Sequence, residues 1–227
     1  MHTDPHSIRT ALTGAPVPLP QPGARALSYR DHLKRIFDVA LVVLALPFVL
    51  PLVGLFALLV ARDGGQAFYV QERLGLDGRR FRMWKLRSMV RDADAALDAH
   101  LAADPAARAE WARDQKLRHD PRVTRIGALI RKTSIDELPQ LWNVLTGDMS
   151  LVGPRPMMPC QRAIYPGQAY FRLRPGLTGA WQVSGRGETS FAARAEFDRA
   201  YEGAVSLAAD LSILAATVGV VLRATGR

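Results

Sequence analysis

The sequence predicts a mainly α-helical protein with one small β-hairpin, an α+β fold. Three observations predict it. One run near the N-terminus is uncharged and almost wholly apolar, the composition of a long helix that avoids water. The stretch after it breaks into short alternating runs at Gly64-Gly65 and Asp77-Gly78, the pattern of paired strands. Much of the rest carries apolar residues at helical spacing between loops rich in proline and glycine.

Residues 1–28 contain GAPVPLPQPGARA without a period and are expected to form a flexible arm. They lack the compact apolar core and cleavage site of a signal peptide. From Val39 to Ala61 the chain reads VALVVLALPFVLPLVGLFALLVA. As a straight helix this run would reach roughly 34 Å, enough to cross a bilayer core. Two features favour a helix that enters the membrane, bends and returns. Pro47 and Pro51 each lack an amide hydrogen and press on the carbonyl four residues back, so together they are expected to break the helix near its middle. Both flanks are also basic, with Arg25, Arg30, Lys34 and Arg35 before the run and Arg62, Arg73, Arg79 and Arg80 after it. Basic flanks stay cytoplasmic, and only a re-entrant path leaves both there. The expected division is an arm over 1–28, a re-entrant membrane helix over 29–63 and a cytoplasmic domain over 64–227.

Within that domain GGQAFYVQERLGLDGRRFRMWKLRSM is the expected hairpin. Residues 92–117, rich in alanine, acids and arginine and broken at Asp104-Pro105, predict two short surface helices. Leu138, Leu141, Trp142 and Leu145 recur at helical spacing, and Gly147 closes that helix. MSLVGPRPMMP and RLRPGLTGAWQVSGRG predict a rigid loop and a glycine-rich one, followed by a helix from Phe191 to Tyr201. In LAADLSILAATVGVVLRA the apolar face is Leu207, Leu211, Leu214 and Val218, interrupted by Asp210. This helix is expected to be buried or to lie along a membrane surface.

Lysine and arginine number 30 against 21 acids, a net charge of +9. Such an excess points to an anionic partner: nucleic acid, acidic lipid or a phosphate-bearing substrate. The basic residues gather around the membrane run and one acid pair, and no nucleic-acid motif accompanies them, so nucleic acid is not an expected partner. Cys160 is the only cysteine, which excludes an internal disulfide. With no histidine near it in sequence, it is expected to be a small, partly buried residue rather than a nucleophile.

The acid pair lies in RKTSIDELPQ, where Asp136 and Glu137 are adjacent. Two explanations stand. Ser134 followed three residues later by Glu137 has the form of a capping box, and acids suit the first turn of a helix. The same helix start, with Arg125, Arg131, Lys132 and Arg155 around it in sequence, would also hold phosphate and keep Asp136 ionised. Arg155 sits between Pro154 and Pro156, which restrict its backbone. Lys85 and Arg87, in WKLRSM, are either ordinary solvated charges or, from their place after the membrane run, contacts for a phosphate or headgroup.

KRIFDVALVVLALPFVLP, QERLGLDGRRFRMWKLRSM, DPRVTRIGALIRKTSIDELPQLWNVLTGDMSLVGPRP and RPGLTGAWQVSGRG, in that order, resemble the bacterial sugar transferases, the monotopic phosphoglycosyl transferases that start glycan assembly on a lipid carrier. The resemblance covers roughly residues 30 to 225. It implies an enzyme of the inner membrane, with its catalytic domain on the cytoplasmic face. Such an enzyme moves sugar-1-phosphate from a UDP-sugar to polyprenyl phosphate and releases UMP, as in exopolysaccharide initiation. By motif it implies Asp136 as nucleophile, Glu137 as its Mg²⁺-linked partner, and Lys85, Arg87, Arg131 and Arg155 as phosphate contacts. It also implies a membrane helix broken at Pro51, with Pro47 an addition. Leu86 stands where phenylalanine is common, and Leu50 where serine often precedes the proline. A homodimer is compatible with this class. A basic, membrane-anchored, lipid-binding protein without catalysis is the alternative.

Overall fold

The computed structural model describes residues 29–62, 64–114, 117, 119–184 and 189–222. The arm expected over 1–28 lies outside the described residues. After a π-helical turn at Tyr29–Leu33, helix α1 runs over Lys34–Ala61. Pro47 and Pro51 lie inside it without dividing it into two elements. By length and composition α1 is able to cross a membrane. Ile36, Val43, Leu44, Phe48, Leu50 and Leu58 are each more than half exposed, an apolar surface that water would not tolerate on this scale.

Both ends of α1 nonetheless touch the rest of the protein. Val42 is buried in the main core with Leu151, Val152, Tyr201 and Ile213. Val60 is buried in a separate cluster with Leu86 and Ile130, joined by Val53 and Phe56. Polar contacts fasten the first end. Asp38, 2 % exposed, accepts a hydrogen bond from Ser150 Oγ (2.7 Å) and one from the Leu151 amide (3.2 Å). Arg35 donates to the Val144 and Leu145 carbonyls, where a cation suits a helix C-terminus. Lys34 and Arg35, expected as basic flank beside the membrane, are thus engaged with the body of the protein.

The hairpin forms as expected. Strands β1 (Phe68–Leu74) and β2 (Arg80–Leu86) pair antiparallel, with Tyr69 opposite Lys85, Gln71 opposite Met83 and Arg73 opposite Phe81. These six side chains share one face, since strand side chains alternate. Asp77 and Gly78 both take positive φ (57° and 73°) in the turn, a conformation open to glycine and tolerated by aspartate. Helices α2 (Ala93–Ala103) and α3 (Pro105–Asp114) follow, divided at Asp104. Asp104 Oδ1 accepts from the amides of Ala106 and Ala107 and so caps the second helix.

Helix α4 (Arg125–Lys132) starts at Thr124, whose hydroxyl accepts from the Gly127 amide (2.8 Å). A 3₁₀ turn at Ile135–Glu137 leads into α5 (Gln140–Thr146), which ends at Gly147 with φ 90°. A second strand pair was not foreseen: β3 (Ser150–Val152) and β4 (Gly176–Thr178) run parallel. They are too short to carry a hydrophobic period. Glycine makes their approach feasible, because a Cβ at Gly176 would stand 2.1 Å from the Gly153 nitrogen. Helices α6 (Ala180–Ser184), α7 (Arg194–Ala204) and α8 (Leu207–Leu222) complete the order.

In α8, of the two placements expected, the protein core does not cover the leucine face. Asp210 is fully buried beside Ala209 and Ile213, whereas Leu207, Leu211 and Val218 are exposed. The carboxylate is inside because three donors meet it. Tyr29 Oη (2.8 Å) and Lys34 Nζ (2.5 Å) bond Oδ2, and Tyr201 Oη (2.5 Å) bonds Oδ1. Cys160, expected partly buried, is exposed.

Candidate active site

The acid pair occupies the 3₁₀ turn between α4 and α5. Ser134 enters it with φ 58°, a left-handed conformation that costs a β-carbon-bearing residue energy and turns the chain sharply. Its hydroxyl makes no cap hydrogen bond, so the capping box does not form. Asp136 and Glu137 do not open a long helix either, because α5 begins three residues later at Gln140.

The two acids have different surroundings. Asp136 is 7 % exposed. Burial raises its pKa above the usual carboxylate range, and Glu137 adds to the rise, while Lys85 and Arg131 oppose it. Burial therefore outweighs the ionising influences expected from the sequence. Glu137 is partly exposed and faces two cations through one oxygen: Lys85 Nζ at 3.1 Å and Arg155 at 3.8 Å from Oε1. Lys85 thus acts on both acids, by contact with one and by its field on the other.

The placement of each cation follows from its element. Lys85 projects from the site face of β2, between the buried Met83 and the end of the strand. Arg155 lies in the loop after β3. That loop is held by backbone bonds from Gly153 N to Thr178 O (2.9 Å) and from Gly176 N to Pro154 O (2.8 Å). Arg131, in the last turn of α4, donates to Ser88 Oγ (2.9 Å) and reaches Asp136 by charge. Arg87 is directed elsewhere: it donates to Gln66 O (2.7 Å) and to Val60 O (3.1 Å) at the end of α1. The structure therefore gathers Lys85, Glu137 and Arg155, keeps Asp136 and Arg131 beside them, and sets Arg87 at the membrane helix.

A cavity of about 20 Å³ opens among Arg73, Met83, Lys85, Glu137, Gln140 and Arg155. Two of these residues escaped the sequence reading. Arg73 lies opposite Phe81 in the hairpin, so the alternation that selects Lys85 also selects Arg73. It donates to Pro156 O (3.1 Å) and Gln71 Oε1 (2.5 Å). Gln140, one helical turn beyond Glu137, is 3 % exposed. Nearby, Arg194 stacks over Trp181 at 4.1 Å. Burial and the charge of Arg155 lower the Arg73 and Arg194 guanidinium pKa values to about 10.

Among the described residues no three His, Cys, Asp or Glu side chains cluster as a metal site. Magnesium does not need such a cage. It takes one or two carboxylates and fills its remaining positions with water and substrate phosphates. Asp136 and Glu137 are oxygen donors of that kind, so the donor set fits a magnesium shared with a phosphate ligand.

A buried carboxylate beside a cation-lined cavity, on a body packed against an apolar helix of membrane length, makes a candidate site for anion chemistry. Comparison with known proteins is more specific: residues 29–224 match the bacterial sugar transferase family, and the chain belongs to it. It is 50 % identical over 196 residues to a UDP-galactose-lipid carrier transferase of Erwinia amylovora and 47 % to an undecaprenyl-phosphate galactose phosphotransferase of Salmonella typhimurium. Each match covers 86 % of this chain and 41 % of the relative, so the chain spans about two fifths of those proteins. It is also 41 % identical to the exopolysaccharide production protein ExoY of Rhizobium meliloti, over 96 % of this chain and 97 % of that one.

Proposed function

We propose that this protein transfers sugar-1-phosphate from a UDP-sugar to polyprenyl phosphate, releasing UMP and initiating exopolysaccharide assembly. The observation that carries this reading is the buried Asp136 beside Glu137, with Lys85 and Arg155 on the Glu137 carboxylate. The names of the relatives support it, since they pair a sugar with a lipid carrier or its phosphate. Galactose heads the donors to test, and glucose follows from a Komagataeibacter xylinus relative named for it.

Two displacements make up the reaction. A carboxylate oxygen of Asp136 attacks the sugar-linked phosphorus, the bond to the UMP oxygen breaks, and UMP leaves with that electron pair. An oxygen of the lipid phosphate then attacks the same phosphorus, the acyl-phosphate bond breaks, and Asp136 regains its carboxylate. Phosphoryl transfer depends mainly on positioning and on stabilising charge. Lys85 contributes to both, because it lowers the proton affinity of Asp136 and fixes Glu137. Arg155 meets phosphate charge from the loop side. Magnesium, held by the acid pair together with the substrate, would supply further charge neutralisation.

The contacts at both ends of α1 support a monotopic arrangement. A helix that returns to the face it left keeps the protein body at one surface, where the lipid phosphate lies. The test is turnover of purified protein with UDP-galactose, undecaprenyl phosphate and Mg²⁺. UMP should appear, and Asp136→Asn should reduce its release by at least a thousandfold while membrane binding is unchanged. A full-rate Asp136→Asn enzyme would remove the nucleophile from its role. Lipid binding without UMP from any UDP-sugar would leave a non-catalytic membrane protein.

A further inference from the structure

Gln140 and Arg73 carry polar hydrogens that the protein itself does not satisfy. Gln140 Nε2 and Arg73 Nε are buried and have no hydrogen-bond partner among the described residues. A buried donor left without an acceptor is costly, and folded proteins keep few of them. Both residues line the same cavity, which Lys85 and Arg155 also line. Three cations thus face one space, with Glu137 the only carboxylate in its lining among the described residues. Like charges gathered at a buried place repel, and an anion between them relieves the repulsion. The cavity, about 20 Å³, has room for a water-sized group such as a phosphoryl oxygen.

Three further polar side chains of the region lie outside the lining of this cavity. Asp198 accepts from Tyr165 Oη (2.7 Å). Arg194 lies over the Trp181 and Phe191 rings, and its Nε is likewise buried and unpartnered, but it does not line the cavity. Gln182 is also buried and unpartnered but does not line this cavity.

Resting on the transfer reaction proposed above, we infer that Gln140 and Arg73 are substrate-binding residues that donate hydrogen bonds to phosphate oxygens, completing a cradle with Lys85 and Arg155. Gln140 supplies a neutral donor beside the acid pair, where another cation would compete with the Lys85–Glu137 contact. Arg73 supplies a charged donor and, through Pro156 O, ties the loop that carries Arg155 to β1. The phosphate oxygens belong either to the nucleotide donor or to the lipid acceptor, and binding separates the two.

The experiment uses the full chain in nanodiscs and needs no turnover. UDP and undecaprenyl phosphate are titrated separately against the wild type, Gln140→Leu, Gln140→Glu, Arg73→Gln and Arg73→Lys. A tenfold or greater loss of UDP affinity in Gln140→Leu and Arg73→Gln, larger in Gln140→Glu and smaller in Arg73→Lys, supports the cradle with the donor as its ligand. The same pattern with undecaprenyl phosphate alone supports it with the acceptor as ligand. Gln140→Leu should melt, without ligand, at or above the wild-type temperature, because it deletes an unsatisfied donor. A merely structural glutamine would instead lower that temperature and leave affinity unchanged, which overturns its part in the cradle. Wild-type affinities retained across the set, or a wild type that binds neither ligand, overturn the inference. A wild type that binds UDP through these residues yet never releases UMP would refute the transfer reaction and leave the cradle intact.

Discussion

At Asp136 two demands oppose each other. In the proposed reaction the carboxylate must be ionised to attack phosphorus, yet burial favours its protonated form. Lys85 is the largest influence in the other direction. Catalysis by the ionised acid is present above its raised pKa and lost as pH falls through it. The acid limb of the kcat profile should therefore lie above the ordinary carboxylate range. Lys85→Met should move that limb to higher pH, and Arg131→Met should move it the same way by less. A pH–rate series of the three enzymes checks this, and an unmoved limb in Lys85→Met would detach the lysine from Asp136. The acid pair, Lys85 and Arg155 were legible because short motifs carried them. The burial of Asp136 was not, because it depends on what packs over a turn rather than on the residues within it. Gln140 and Arg73 were not legible, because only the hairpin register and the cavity show what they face.

Among the elements, α8 separates composition from placement. Its leucines form a face suited to a core or to a membrane surface, and its aspartate looks like an interruption. The structure buries the aspartate and exposes Leu207, Leu211 and Val218. Sequence period locates an apolar stripe but does not say whether protein or lipid covers it. Asp210 is inside because Tyr29, Lys34 and Tyr201 converge on it from two other segments, a long-range fact absent from any local window. Asp210→Ala should strand those donors and destabilise the protein by about 3–5 kcal/mol, the usual cost of breaking a buried ionic contact. Asp210→Asn, which keeps an acceptor, should cost less. Denaturant titration of the detergent-solubilised variants would check the order; equal stability of Asp210→Ala and wild type would show the contact to be idle. The hairpin and the α5 stop were read correctly because Asp77-Gly78 and Gly147 take the backbone conformations their residue types favour. The β3–β4 pair escaped because three-residue strands leave no period.

For the whole molecule, the path of α1 sets where the site lies. Length and composition make α1 able to cross a membrane, while its course depends on contacts outside the run. Val42 and Val60 both pack on the protein body, one in the main core and one against Leu86 and Ile130. In a Cys160→Ser background, His32→Cys and Asp77→Cys should label with an impermeant thiol reagent from the same side of sealed vesicles. Labelling from opposite sides would establish a crossing and discard the re-entrant path. Removing Cys160 is necessary because it is exposed and would label by itself.

Arg87 gives this architecture a mechanical meaning. Its guanidinium grips the last turn of α1 at Val60, and its own backbone is two residues from the lysine that holds Glu137. A displacement of α1 would therefore reach Lys85 within two peptide units. On the proposed membrane seating of α1, the bilayer would be part of the gauge that sets the position of the acid pair, and not just the floor beneath it.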